Sequence, residues 1–388
     1  TVLSYAKLRA SYANVGHAPG LGANNSLPPY SLNNLQPIVG TNAIGQLPYF
    51  SGDKIAEVKP ERTKTFEVGA QLTLFNMLNV DLAYYNARTS DQIISIQAPS
   101  GAGAQSFILN GGEIRNYGFE GTISYNAKFG DLRWTPALNF SHNVNQVRAL
   151  SPLYTADHYV ISGQDNTRLV ATWLTRPKDG KYGAFGDYYG RIIDKNPDGS
   201  IKVDDNGIPV LTGADDPRYV GNPNPKFLAG FNNSFTYKRI NLSFLIDSRF
   251  GGQVFSMTNT WLDYKGISQR TADARDAGGV VVNGKKVDAQ AYYTAISAGA
   301  DGGAVPEYTY SATNIRLREF VLGYTFPLVG KTFKNLNVAF TGHNVFFFSK
   351  KSPFDPEQAI STATNTMGID GFGVPATRSF GFSIKASL

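Results

Sequence analysis

Along most of the chain, apolar and polar residues alternate one by one. Leu72 and Leu74 are interleaved with Gln71 and Thr73, and Leu78, Val80, Leu82 and Tyr84 with Asn79, Asp81 and Ala83. Successive side chains of a strand point to opposite faces, so these segments predict strands with one apolar and one polar face. The pattern recurs over 7–15, 116–129, 132–144, 227–237, 242–249, 320–326, 336–344 and 378–388, which makes ten long strands in all. Helical periodicity is scarce. Several of these strands exceed ten residues, whereas strands of soluble proteins average roughly five or six and a tilted membrane-crossing strand needs roughly 9–11.

The connections alternate in length as well. Short links fall at Asn76, Gly130 and Lys238-Arg239, with a modest one over 327–334, while long ones cover 16–61, 89–113, 149–225, 251–313 and 349–375. The layout predicts an all-β fold, a transmembrane antiparallel β-barrel with short periplasmic turns and long extracellular loops. Loops of this size are rare in compact soluble domains. Phe75, Phe129, Trp134, Tyr237, Tyr324 and Phe326 lie within a few residues of the short turns, where an interfacial aromatic girdle is expected. The last segment carries Phe380, Phe382, Ile384, Ala386 and Leu388 on one face and Ser379, Gly381, Ser383 and Lys385 on the other, an apolar closing strand. A β-sandwich with one wet face also alternates, but strand length, loop asymmetry and aromatic placement favour the barrel. A small barrel does not explain the two longest loops. Residues 1–388 therefore read as the C-terminal part of one larger barrel domain, and the start at Thr1 without a signal peptide reads as a fragment or processed piece.

Composition narrows this further. Charged residues make up 17% of the chain, against roughly 25% for an average soluble domain. Aromatic residues make up 13%, a rich content. The net charge of +6 is scattered without a basic run, which argues against a nucleic-acid partner. With no cysteine, disulfides, zinc–thiolate sites and cysteine nucleophiles are excluded. No apolar run reaches the roughly 18 residues of a membrane helix.

In a large barrel, strand parity names the side chains that face the lumen: Arg9, Glu67, Asp81, Glu120, Arg133, Asn139, Asp247 and Arg249. These would meet plug, water or cargo, with Glu67, Glu120 and Arg133 expected against the plug. Binding residues concentrate on loops held by a rigid scaffold. Trp173, Tyr182, Phe185, Tyr188 and Tyr189 in the 149–225 loop are candidates for stacking on sugar rings or peptides, or else for a small hydrophobic core of the loop itself.

Other motifs carry less. Asp194-Lys195-Asn196-Pro197-Asp198-Gly199-Ser200-Ile201 with Asp205 has calcium-loop spacing, but Pro197 and Lys202 interrupt it, Asp replaces the bidentate Glu and no helices flank it. Asn196-Pro197-Asp198-Gly199 and Asp205-Asn206-Gly207 read better as hairpin turns. The stretch from Gly279 to Lys285 imitates a phosphate-binding loop, but Lys286 stands where Ser or Thr is required, and Asn283-Gly284 reads as a turn. His17, His142, His158 and His343 are dispersed, and the adjacent carboxylates Asp204-Asp205 and Asp215-Asp216 read as solvated turn residues. No catalytic constellation and no cofactor motif emerges.

Several segments, in order, carry a family resemblance. They are Lys7-Leu8-Arg9-Ala10-Ser11-Tyr12 with Val15-Gly16; Pro60-Glu61-Arg62-Thr63 with Glu67-Val68-Gly69; Tyr84-Tyr85-Asn86; Asn116-Tyr117-Gly118-Phe119-Glu120; and Gly221-Asn222-Pro223-Asn224-Pro225-Lys226. Ile315-Arg316-Leu317-Arg318-Glu319, Gly323-Tyr324-Thr325-Phe326-Pro327, Ser352-Pro353-Phe354-Asp355-Pro356-Glu357 and the run from Pro375 to Gly381 complete the series. In these the chain resembles the C-terminal portion of the SusC/RagA family of TonB-dependent outer-membrane transporters. It departs from that family at His343, where Arg is usual, and at Leu388, where a terminal Phe is usual. The resemblance implies a 22-stranded barrel around an N-terminal plug, with plug and TonB-contacting segment lying before Thr1. It implies energised uptake of oligosaccharides or peptides with a SusD-like lipoprotein and TonB as partners. It also implies an integral place in the Gram-negative outer membrane among lipid and lipopolysaccharide. Such a protein is not an enzyme. The competing readings are a passive porin, with the same strands and no plug, and a soluble secreted glycan-binding β-protein.

Overall fold

The computed structural model describes residues 2–17, 36–37, 46–47, 50–55, 59–97, 104–151, 158–162, 168–173, 181–213, 216, 218–297, 303–329, 333–358 and 367–387. Ten strands run in one antiparallel sheet: β1 (Leu3–His17), β2 (Glu61–Leu74), β3 (Leu78–Ser90), β4 (Glu113–Tyr125), β5 (Leu132–Ala149), β6 (Phe227–Tyr237), β7 (Ile240–Phe250), β8 (Asn314–Val329), β9 (Phe333–Lys350) and β10 (Ser379–Ser387). Their order in the sheet is their order in the chain, and a short strand, Ala127–Phe129, extends the β4 edge of β5. Among the described residues β1 and β10 each have one neighbour, so the sheet is an open wall.

Register makes the two faces continuous. Leu8 faces Ala70, Ala70 faces Leu82, Leu82 faces Gly121 and Gly121 faces Phe140. The row passes on through Ala229 to Ser248. On the far side, Leu242, Leu322, Phe340 and Phe382 form a similar row. A slip of one residue anywhere would put a polar row into this face, so the alternation itself fixes the register. The apolar face is exposed: Leu8 is 81% accessible and Phe382 78%.

The short turns follow from local chemistry. Met77 N donates to Leu74 O at 3.0 Å across a turn whose central residues, Phe75 and Asn76, both take positive φ. Asn tolerates that conformation and is favoured in such hairpins. Gly130 takes φ +59° between the Ala127–Phe129 strand and β5.

Two sequence expectations need correction. Strand β8 begins at Asn314, six residues before the alternation is visible, because register shifts between Ile315 and Arg316 and between Leu317 and Glu319 break the period of two. The 251–313 connection is not all turn. It holds α1 (Met257–Tyr264), α2 (Gln269–Asp276) and α3 (Ala289–Ser297), with the Val280–Val282/Lys285–Val287 hairpin between α2 and α3. The first two helices are eight residues each, too short for a visible apolar stripe, but they are bracketed. Ser256 and Ser268 cap their N-termini through Asn259 N and Thr271 N. Gly266 and Gly278 follow their last turns at positive φ.

The 149–225 connection carries a second, four-stranded sheet formed by His158–Ser162, Arg168–Trp173, Asp187–Gly190 and Arg218–Gly221. Buried residues gather here and around the helices rather than in the wall. Leu211, Ile296 and Ala304 make one cluster and Phe255, Val305 and Tyr308 another.

Candidate functional site

The polar face of the wall is the first candidate. Arg9, Glu67, Asp81, Glu120, Arg133, Asn139, Asp247 and Arg249 all share it through the paired registers. Arg9, Asp81, Glu120, Asn139 and Asp247 line one open concavity of about 680 Å3 spanning β1 to β7. Arg9 Nη2 pairs with Asp81 Oδ1 at 2.7 Å, and Thr122 Oγ1 donates to Asn139 Oδ1 at 2.8 Å. Higher up, Tyr85 Oη donates to Asn143 Oδ1 at 2.9 Å. Glu67 and Glu120 stand exposed, two strands and one pleat apart, or about 12 Å. Arg133 is not with them. It lies eight residues down β5 from Ser141, the residue opposite Glu120, which is about 26 Å along the strand.

At the loop end of this face, Asp247, Arg316 and Arg318 meet the segment after β9. Arg316 is 3% exposed, stacks over Phe347 at 5.0 Å and reaches Asp355 Oδ2 at 3.3 Å and Glu357 Oε1. Arg318 Nη2 bonds Asp247 and also Glu357 Oε2 at 2.9 Å. Burial alone would raise the Glu357 carboxyl. The hydrogen bonds and charges of Arg318 and Arg316 outweigh it and hold the group below the usual glutamate value. Arg316, Arg318, Asp355 and Glu357 belong to two of the quoted sequence motifs, yet their pairing could not be read from spacing, because 39 positions separate Arg316 from Asp355.

Above the wall, a cavity of about 870 Å3 opens between β5, the loop residues that precede β6 and the Gly251-Gly252-Gln253 run after β7. Amides dominate its lining: Asn143, Asn145, Gln146, Asn222, Asn224 and Gln253, with Tyr182 and Tyr219 beside them. Asn145 Oδ1 accepts from Phe185 N at 2.7 Å, and the buried Asp187 accepts from Ala184 N at 2.9 Å and Asn222 Nδ2 at 2.7 Å. Of the loop aromatics singled out in the sequence, Tyr188 and Tyr189 are buried. Tyr188 Oη donates to Met367 O at 2.6 Å, and burial pushes its phenol far up, opposed by the charge of Arg249. Phe185 is half-buried. Tyr182, 45% exposed, lines the cavity with Arg148 4.2 Å over its ring. The side chain of Trp173 lies outside the described residues.

The turn motifs resolve as turns. Gly199 N donates to Asn196 O at 2.9 Å, Asp198 Oδ1 accepts from Ser200 N at 2.9 Å, and Asp194 pairs with Lys202 at 3.1 Å. Asp205-Asn206-Gly207 closes a second turn, with Gly207 N on Asp204 O at 3.0 Å. Among the described residues no group of three or more His, Asp or Glu side chains is placed to hold a metal ion.

Comparison with known proteins places this architecture. The family described as TonB dependent receptor-like, beta-barrel, matches residues 3–345. TonB-dependent receptor P3 of Formosa agariphila is 26% identical over 96% of this chain and 38% of its own length, and TonB-dependent receptor P26 of that organism is 25% identical over 90% and 36%. The chain thus spans less than two-fifths of these curated relatives. Among solved structures, the RagAB peptide importer in its closed-closed state superposes with a TM-score of 0.72 at 17% identity, over 100% of this chain and 41% of that one. Its open-open state gives 0.71 at 16% identity, over 100% and 40%. At such identity the likeness speaks for the fold. The chain belongs to the TonB-dependent receptor-like β-barrel family, and its place is in the outer membrane.

Proposed function

We propose that residues 1–388 form the C-terminal wall and extracellular loops of a non-catalytic transporter that imports oligosaccharides or peptides across the outer membrane, energised through TonB and assisted by a SusD-like lipoprotein. One observation carries the reading: a single sheet whose apolar face lies open for lipid while its polar face encloses a concavity, in a chain of this family. In this reading Glu67 and Glu120 are exposed carboxylates for an N-terminal plug, and Arg133 serves near the periplasmic rim. Tyr182 and the amides around it are the first loop groups that cargo meets. Planar aromatic faces and amide donor–acceptor pairs suit either a sugar ring or a peptide backbone.

The test is uptake of labelled oligosaccharide and peptide mixtures by cells expressing the full-length protein, with and without functional TonB. Import that stops when TonB is removed supports the reading. Undiminished uptake without TonB, together with steady conductance in planar bilayers, would make the protein a porin instead.

A further inference from the structure

The apolar face is free of charge over most of its area. Within the paired registers of the ten strands, its charged side chains are Arg62 and Lys64 on β2, Arg88 on β3, and Arg115 with Glu113 on β4. All five stand at the loop ends of three adjacent strands. Lys64 lies directly opposite Arg88, and Arg88 directly opposite Arg115. Like charges facing each other across neighbouring strands destabilise a sheet. Even so, none of the four cations has an ion pair among the described residues. Arg115 is held in place: its Nε donates to Asn86 Oδ1 at 3.0 Å and its guanidinium lies 4.5 Å over the Tyr117 ring.

The depth of this row is set by its neighbours. One pleat toward the short turns stand Tyr12, Phe66 and Tyr117 on the same face, and the next step brings Tyr84 and Phe119. Such a band marks the headgroup level. Phe66 and Leu74 are eight residues apart, about 27 Å of strand and roughly 20 Å of height at a tilt of about 40°, close to the apolar band of an outer-membrane barrel. Lys64, Arg88 and Arg115 therefore stand about 7 Å of strand beyond the aromatic band and Arg62 about 14 Å beyond it, among lipid phosphates.

We propose that Arg62, Lys64, Arg88 and Arg115 form a binding site for the phosphate groups of an outer-leaflet glycolipid of the lipid A type. Four cations to one carboxylate, spread over about 10 Å of wall, fit an anionic headgroup. Charge-assisted hydrogen bonds to phosphate would relieve the repulsion that the described residues leave uncompensated. The leaflet follows from the long loops being extracellular, so the inference rests on that orientation and not on which nutrient is carried.

The full-length protein, purified in detergent, is equilibrated with lipid A, with dephosphorylated lipid A and with phosphatidylglycerol, and bound lipid is counted by native mass spectrometry. Wild type should retain lipid A over both competitors. Loss of each cation should weaken retention about fivefold, so that Lys64→Gln/Arg88→Gln/Arg115→Gln loses roughly a hundredfold. Lys7→Gln, on the opposite face, should change nothing. If the triple variant does not assemble, Arg88→Gln alone, which relieves the central repulsion, supplies the comparison. Equal retention of the dephosphorylated lipid, or equal retention by wild type and variants, overturns the site. Equal retention of phosphatidylglycerol overturns the glycolipid assignment. Neither outcome touches TonB-dependent uptake, which is measured separately.

Discussion

The wall and the loop assembly above it bury opposite things. In the wall, Leu8, Phe66, Leu322, Phe382 and Ile384 are exposed, while buried positions include Ala127, Asn233 and Ala339. In the loop assembly that precedes β6 and follows β7, the large side chains Tyr189, Ile296 and Tyr308 are sealed, and with them the carboxylate of Asp263 at 1% exposure. Each region is arranged for its own solvent. Lipid tails exert no hydrophobic pressure on the wall, so its order comes from the continuous hydrogen-bond ladder between strands. The assembly meets water and needs an ordinary core. A stability measurement should therefore find two regions with different rules.

The largest expected effect tests that division directly. Leu82→Arg places a charge midway across the apolar face, where it should cost about 2–4 kcal/mol of folding free energy in lipid vesicles. Ile267→Arg, in the assembly and 69% exposed, should stay within about 0.5 kcal/mol in the same urea titration. Equal losses would show that the apolar face does not meet hydrocarbon. Next in size is Asp263→Ala. Its carboxylate accepts from Ser268 Oγ at 2.5 Å and Tyr308 Oη at 2.9 Å and pairs with Arg270. Removing it leaves the partly buried Arg270 without its carboxylate, at about 3 kcal/mol. Limited proteolysis should then cut within 257–297 while the wall stays resistant.

The same division explains what the chain gave away in advance. A half-exposed strand repeats every second residue, so all ten wall strands and their polar faces were visible in the alternation, and the register then followed. Strand β8 hid its first turn of sequence because bulges around Arg316 and Arg318 shift parity. The helices of the assembly were hidden for another reason: α2, Gln-Arg-Thr-Ala-Asp-Ala-Arg-Asp, is polar throughout, and only its Ser268 and Gly278 brackets betray it. The contacts of Arg316 and Arg318 with Glu357 were illegible, since nothing local says which of several arginines a distant glutamate will meet. The second aromatic band, Tyr12, Phe66, Tyr84 and Phe119, was present in the sequence. It is hard to read there because these rings sit within strands, with no short turn beside them to fix their depth.

A smaller effect belongs to the seam between the two regions. Glu357→Gln removes one of the two carboxylates on Arg316 and one of the two on Arg318, leaving Asp355 and Asp247. The remaining partners limit the loss to about 1–2 kcal/mol, read as faster protease cleavage over 351–358. The folded carboxyl of Glu357 lies below its ordinary value. Its contribution is therefore complete above that value, near pH 4.5, and is lost as pH falls through the folded value. Cleavage of wild type should rise on acidification below pH 4.5, and the Gln variant should show a flatter response.

The smallest effect concerns the hairpin that mimics a calcium loop. Asp198 is committed to its own turn: Oδ1 accepts from Ser200 N at 2.9 Å and from Ser200 Oγ at 2.6 Å, and these bonds hold its carboxyl below the usual aspartate value. Asp194 is likewise lowered by Lys202 and the Lys195 amide. A calcium ion would have to take these oxygens from partners already in place, and Lys202 would stand beside it. Millimolar calcium should leave the melting temperature of the full-length protein unmoved, and equally so in Asp198→Ala. The variant should instead speed amide exchange at Gly199 and Ser200 alone, because the turn loses a cap that acts over two residues. Acid should mimic it: the bond to Ser200 is intact above the ordinary aspartate value near 3.8 and weakens as pH drops through the lower folded one. A melting temperature that rises with calcium in wild type and not in Asp198→Ala would reinstate the metal. It would also mean that the loop assembly, unlike the wall, draws part of its order from an ion.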